Sequence, residues 1–238
     1  MNSEESASDP SPLTLHTFDR SSVPGLFAIV DRLENAIGLP PRFYENLVHA
    51  DDDWSFVLKL HALMEVSMTI LLTERIGGRS LPDSPELTKT LSHLDMSRTD
   101  VGKVTLAFTL GLINKRDRRL LYFLSELRNT FVHNIKNVSL TLQDYVATFD
   151  QNQRNTFVDI LFVERTEQLT RNVLSYPRRS IWLTSLMLLT HLRTQFEALQ
   201  VGRGAPGTNR AEFVRELGEL TRDMESVTQQ ITGKTAGA

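Results

Sequence analysis

Residues 51–78, DDDWSFVLKLHALMEVSMTILLTERIGG, decide how this chain is read. Asp51, Asp52 and Asp53 offer carboxylates where a helix begins, and the free N–H groups and the helix dipole both favour negative oxygen there. Trp54, Phe56, Leu60, Leu63, Met64, Ile70 and Leu71 then recur at helical spacing, and Gly77-Gly78 closes the run. Such a helix is apolar nearly all round, so it is expected at the centre of the fold.

The same three-and-four periodicity continues outward from it, and the alternation of a half-buried strand is almost absent. A short helix is expected over 25–37, stopped by Gly38 and Pro40-Pro41. Beyond a loop carrying Pro82 and Pro85, helices are expected near 100–112 and over 116–135, the latter with the stripe Leu120, Leu124, Leu127 and Phe131. Further helices follow over 140–148, 151–174 and 177–200, the last with Ser175 as a cap and Pro177 in its first turn. The fold class is all-α.

The first 22 residues are rich in Ser, Pro, Asp and Glu, carry no secretory signal pattern, and read as a disordered tail. A helical domain over 23–200 is expected next, then a linker over 201–207, an amphipathic helix over 208–232 and a tail over 233–238. In that last helix Phe213, Leu217, Leu220, Met224, Val227 and Ile231 repeat at 4-3-4-3-4, a seam of period 3.5. It suits pairing with a second copy or a partner, and equally docking back on its own domain.

With 26 basic and 29 acidic side chains the net charge is −3, so no global positive field attracts nucleic acid and any such contact must be local. The absence of cysteine excludes disulfides, thiolate metal sites and a cysteine nucleophile, and fits a reducing compartment. The apolar run 181–189 is far shorter than the roughly 20 residues that cross a bilayer. The expectation is a cytoplasmic protein with no membrane contact. Asn137-Val138-Ser139 matches a glycosylation sequon and is read as chance.

The chemically pointed segment is Arg128-Asn129-Thr130-Phe131-Val132-His133. At about 100° per residue Arg128 and His133 point roughly 140° apart, whereas Asn129 and His133 share a face. One chain makes an imperfect site; two such helices about a twofold axis would bring both pairs to one cleft. Histidine moves protons near neutral pH and arginine holds phosphate oxygens, which suits attack of a ribose 2′-hydroxyl on the adjacent phosphorus without metal. Asn129 would orient the phosphate or the imidazole. The plainer alternative pairs Arg128 with Glu126 or Asp144 and leaves His133 as a helix-end cation.

The basic run Lys115, Arg116, Arg118 and Arg119 opens the same helix, where positive charge opposes the dipole, and is the candidate for substrate phosphate. His61 and Glu65, four apart on one face, are supporting candidates, an ordinary intrahelical pair being the alternative. No third ligand stands at metal spacing, so neither metal nor cofactor is expected.

The runs VTLAFTLGLIN at 104–114 and LSELRNTFVH at 124–133 resemble the mannitol-operon repressor family and related HEPN-like proteins of bacteria. FVLKLHALME at 56–65 resembles their first long helix, and with the helix from Pro177 the likeness spans 52–200. The resemblance implies a HEPN-like helical bundle that dimerises, and it carries Arg128, Asn129 and His133 onto the HEPN catalytic positions. HEPN-type ribonucleases are commonly toxins or defence effectors, with RNA as substrate and an antitoxin as a protein partner. The mannitol repressors are regulators without a recognisable DNA-binding helix-turn-helix. An Asn directly after the Arg favours the nuclease branch, and a noncatalytic regulator or interaction module is the alternative.

Overall fold

Asp52 accepts the backbone N–H of Ser55 and so caps α3 (Asp53–Gly77), the helix expected at the centre. The computed structural model describes residues 20, 24–78, 84–133, 135–163, 165–203, 215 and 222, and every regular element among them is helical. Before α3 come α1 (Pro24–Ile37) and α2 (Phe43–Val48). After it come α4 (Pro85–Ser92), α5 (Lys103–Thr109), α6 (Lys115–Val132), a 3-10 turn (Ile135–Ser139), α7 (Leu142–Ala147), α8 (Gln151–Leu161), α9 (Glu167–Ser175) and α10 (Pro177–Arg203). The protein is all-α, as its periodicity requires.

Two short helices were not expected from the sequence. Pro85, read as loop punctuation, is the first residue of α4, with Ser84 capping the N–H of Leu87. α2 forms because the buried carboxylate of Glu34 accepts the backbone N–H groups of Arg42 and Tyr44, at 2.6 Å each. Those bonds hold Arg42 at φ 65°, a left-handed conformation that a non-glycine residue adopts only under such constraint. The single helix expected over 151–174 is two. Phe162 turns extended and buries its ring, and Thr166 caps a new helix. The helix near 100–112 is shorter, running from Lys103 to Thr109 behind its N-cap Gly102, where the backbone of Arg98 lies so close that a Cβ would stand 2.4 Å from its carbonyl oxygen. Val201, Gly202 and Arg203, expected in a linker, are the last residues of α10. Of the expected tails only Arg20 is among the described residues, its guanidinium paired with Asp31 and Glu45; the rest of the tails and the seam positions lie outside them.

α3 packs between α6 and α10. Asp53, at its first turn, is buried and accepts both Arg178 Nε at 2.5 Å and the backbone N–H of Leu142, joining α3 to the starts of α10 and α7. Ser67 and Leu192, each fourteen residues further along its helix, line one cavity, so α3 and α10 run in the same direction. On the α10 side Trp182 is fully buried; its indole donates to the Tyr44 carbonyl and the Tyr44 hydroxyl donates to the Trp182 carbonyl, each at 2.7 Å. Central as it is, α3 is not covered all round: Val66 and Ile70, four apart, are 56% and 41% exposed. Its most apolar 18-residue window reaches a mean hydropathy of 1.5, long and apolar enough to cross a membrane, and half of that window is buried against its neighbours.

Candidate functional site

The C-terminal turn of α6 presents the motif because its stripe Leu120, Leu124, Leu127 and Phe131 is buried against the core, leaving the intervening residues outside. Arg128 is half-buried, and Asn129 and His133 are exposed. The Arg128 guanidinium donates to Asn129 Oδ1 at 3.1 Å and makes no ion pair among the described residues. Neither Glu126 nor Asp144 takes it, Asp144 instead accepting the hydroxyl of Thr141 at the start of α7. His133 is the residue that ends the helix, its N–H bonded to the Asn129 carbonyl at 3.0 Å. Asn137 donates to the Thr130 carbonyl at 2.7 Å, so the sequon asparagine closes the frayed end of α6 and steadies the motif from below.

The two supporting candidates divide. Glu65 does not hold His61; it accepts Lys103 Nζ at 2.7 Å, whose side chain is only 1% exposed and also donates to the Ser92 carbonyl. His61 reaches across to α6, where its Nε2 lies 3.3 Å from Ser125 Oγ. Since Ser125 gives its hydroxyl proton to the Leu121 carbonyl, it can only accept from the imidazole, so His61 carries its proton on Nε2 and leaves Nδ1 as an acceptor. Burial pulls the His61 pKa below its ordinary value; Glu65 and Asp95 act against that shift, and the positive charges of Arg128 and Lys103 add to it. Ser125 is one turn before Arg128 and Asn129, so a neutral imidazole stands on their face of α6. Ser125 and Lys103 were not singled out in the sequence. A small polar residue inside the apolar stripe of α6 was the one available signal for Ser125.

The basic run lies at the other end. From Lys115 to His133 is eighteen residues, about 27 Å along a helix, so one chain does not bring the run to the motif. Its members are also unalike. Arg116 is half-buried and donates to the Leu161 carbonyl at 2.6 Å, which ties α6 to α8 and makes it structural. Arg118 stacks over the Phe108 ring at 4.7 Å and over Tyr122 at 5.5 Å. Lys115 and Arg119 are exposed. The unfavourable charge at this helix start is offset by a capping box, Asn114 accepting the N–H of Asp117 and Asp117 accepting that of Asn114.

The Asp117 carboxylate also meets His191 of α10, at 2.7 Å from Nδ1, a pair that sequence spacing could not show because seventy-four residues separate the two. This hydrogen bond raises the His191 pKa, with burial acting against it. A raised folded-state pKa means that the stabilisation is fully present below the unfolded value of about 6.5 and is lost as pH rises through the folded one. The difference in unfolding temperature between the protein and His191→Gln is therefore expected to be largest at acid pH and to shrink with rising pH. A difference independent of pH would show that the pair does not titrate between the two states.

Comparison with known protein families, with curated proteins and with solved structures finds no match. Among the described residues no three of His, Asp and Glu gather as a metal site. The end of α6 carries a cation without a counter-ion among the described residues, an amide and the exposed imidazole of His133, and the neutral, half-buried imidazole of His61 stands at Ser125, two turns before His133. Such groups bind a phosphodiester and move a proton at neutral pH.

Proposed function

We propose that the protein is a metal-independent endoribonuclease of HEPN type, acting as a homodimer in the cytoplasm. The observation that carries this reading is Arg128. A guanidinium held half-buried on a helix, with no carboxylate partner among the described residues, has its charge available for an anionic ligand. In the proposed reaction the ribose 2′-oxygen attacks the adjacent phosphorus and the P–O5′ bond breaks, leaving a cyclic phosphate and a free 5′-hydroxyl. His133 moves the proton, Arg128 stabilises charge on the phosphate oxygens, and Asn129 orients the phosphate. Because Arg128 and His133 diverge by about 140° along α6, the cleft needs a second copy of the helix. Lys115 and Arg119, about 14 to 27 Å from the motif residues along the helix, would then meet RNA flanking the cleaved bond.

The test is incubation of the purified protein with a mixed RNA substrate in EDTA, reading product ends. Cyclic-phosphate ends support the reading, and intact RNA across several substrates overturns it. A noncatalytic regulator or interaction module, related in kind to the mannitol repressors, is the second reading. The exposed Val66 and Ile70 of α3 favour it, since adjacent bare aliphatic side chains on a core helix mark a surface that contacts something.

A further inference from the structure

Two arginines of α6 are half-buried and have no carboxylate partner among the described residues: Arg128 at the motif and Arg118 ten residues before it, about 15 Å along the helix. Arg118 lies with its guanidinium over the Phe108 ring of α5 at 4.7 Å and over Tyr122 at 5.5 Å. The Tyr122 ring is itself held: its hydroxyl donates to Thr105 Oγ1 at 2.9 Å, because Thr105 gives its own proton to the Thr99 carbonyl. A guanidinium stacked in this way gives up side-chain freedom yet keeps its N–H donors, which lie in its plane and away from the ring faces.

Arg118 and the motif share a surface. At about 100° per residue, Arg118, Asn129, Tyr122 and His133 fall within a sector of α6 roughly 60° wide, and the Arg128 guanidinium leans onto it by donating to Asn129. Between residues 118 and 133 the one carboxylate is Glu126, exposed at the margin of that sector, against Arg118, Arg119 and Arg128. The stripe is therefore positively charged although the chain as a whole is not. α5 borders it at Arg118 and Tyr122, and α3 borders it at Ser125.

We propose that Arg118, on its aromatic bed, is a second phosphate subsite that binds the backbone of single-stranded RNA a few nucleotides from the bond held at Arg128. This deepens the ribonuclease reading and rests on it, and it fixes the substrate as a strand long enough to span both arginines. Two guanidiniums in line along one helix face match the repeated charge of a nucleic-acid backbone, and each can donate to phosphate oxygens in pairs. A single strand suits the site because its bases are free to splay onto neighbouring aromatic rings, here the half-buried Tyr122 and Phe108, whereas a duplex keeps them stacked inside.

The test reads binding apart from cleavage. A labelled single strand of about 12 nucleotides, within the site sizes of single-strand binders, carries 2′-O-methyl groups and so has no attacking hydroxyl. It is titrated with the full-length protein by fluorescence anisotropy at several salt concentrations, beside Arg118→Met, which keeps an apolar stem over the rings, and Arg118→Lys. Arg171→Ala is the control: Arg171 is exposed on α9, away from the stripe, and its loss changes the net charge equally. Arg118→Met is expected to weaken binding roughly tenfold and to flatten the dependence of log affinity on log salt by about 0.7, the share of one phosphate contact. Arg118→Lys should recover part of both, and Arg171→Ala should change neither. Unchanged affinity in Arg118→Met, an equal loss in Arg171→Ala, or no binding by the unaltered protein would overturn the subsite. Cleavage in EDTA with binding that ignores Arg118 would leave the nuclease reading standing without the subsite, and Arg118-dependent binding without cleavage would do the reverse. Should circular dichroism show that Arg118→Met impairs folding, Arg118→Gln asks the same question.

Discussion

In the metal-free cleavage assay His133→Ala is expected to lower the rate by roughly 10²- to 10⁴-fold, the range removed with a positioned acid or base. His133 is exposed and its side chain has no bonding partner among the described residues, so the variant disturbs no packing and the loss reads as chemistry. Arg128→Ala is expected to cost about 10²- to 10³-fold, as removal of one donor to a developing phosphate charge does. Arg128→Lys should recover little of it, because an ammonium cannot make the paired donation of a guanidinium while also reaching Asn129. Single-turnover rates on one labelled RNA, with folding checked by circular dichroism, separate these outcomes. Equal rates for the protein and both variants would place cleavage elsewhere in the molecule and sink the assignment of these residues.

Trp182→Ala is expected to be the most damaging single change in the core, costing about 3–5 kcal/mol of stability. The indole is fully buried, lies 5.1 Å from the Tyr44 ring and 6.2 Å from the Phe27 ring between centroids, and donates to the Tyr44 carbonyl. Truncation removes that apolar area and opens a cavity where α1, α2 and α10 meet. Trp182→Phe keeps most of the volume and loses chiefly the hydrogen bond, so it is expected to cost about 1–3 kcal/mol. Urea unfolding of the three proteins measures both. A loss below about 1 kcal/mol in the alanine variant would mean that this corner repacks, contrary to the lock between Tyr44 and Trp182.

The helices that the sequence displays well are those whose signals are local. Asp52 caps α3 and buried leucines line α6 because a capping side chain and a 3.6-residue stripe act within one element, and both are visible in a string of letters. The failures share a cause. α2 exists because Glu34, eight residues before Arg42, reaches over to its first N–H groups, and the helix expected over 151–174 breaks because Phe162 has a place in the core. Neither event has a signature within the segment it shapes. The candidate site divides in the same way: the order of Arg128, Asn129 and His133 is read directly, while the proximity of His61 to Ser125 depends on how α3 packs against α6.

By itself the sequence determined that the chain is helical, that α3 is apolar nearly all round, and that one helix end bears an arginine, an amide and a histidine. Those properties follow from spacing and side-chain chemistry, which hold whatever the helices later touch. Only the tertiary structure decided which charges remain available. Arg116 is tied to the Leu161 carbonyl, Glu65 to Lys103 and Asp117 to His191, whereas Arg128 keeps its charge unpaired among the described residues. The reason is that a long polar side chain takes whichever partner packing brings within about 3 Å, and for these residues that partner lies 38 to 74 positions away in the chain.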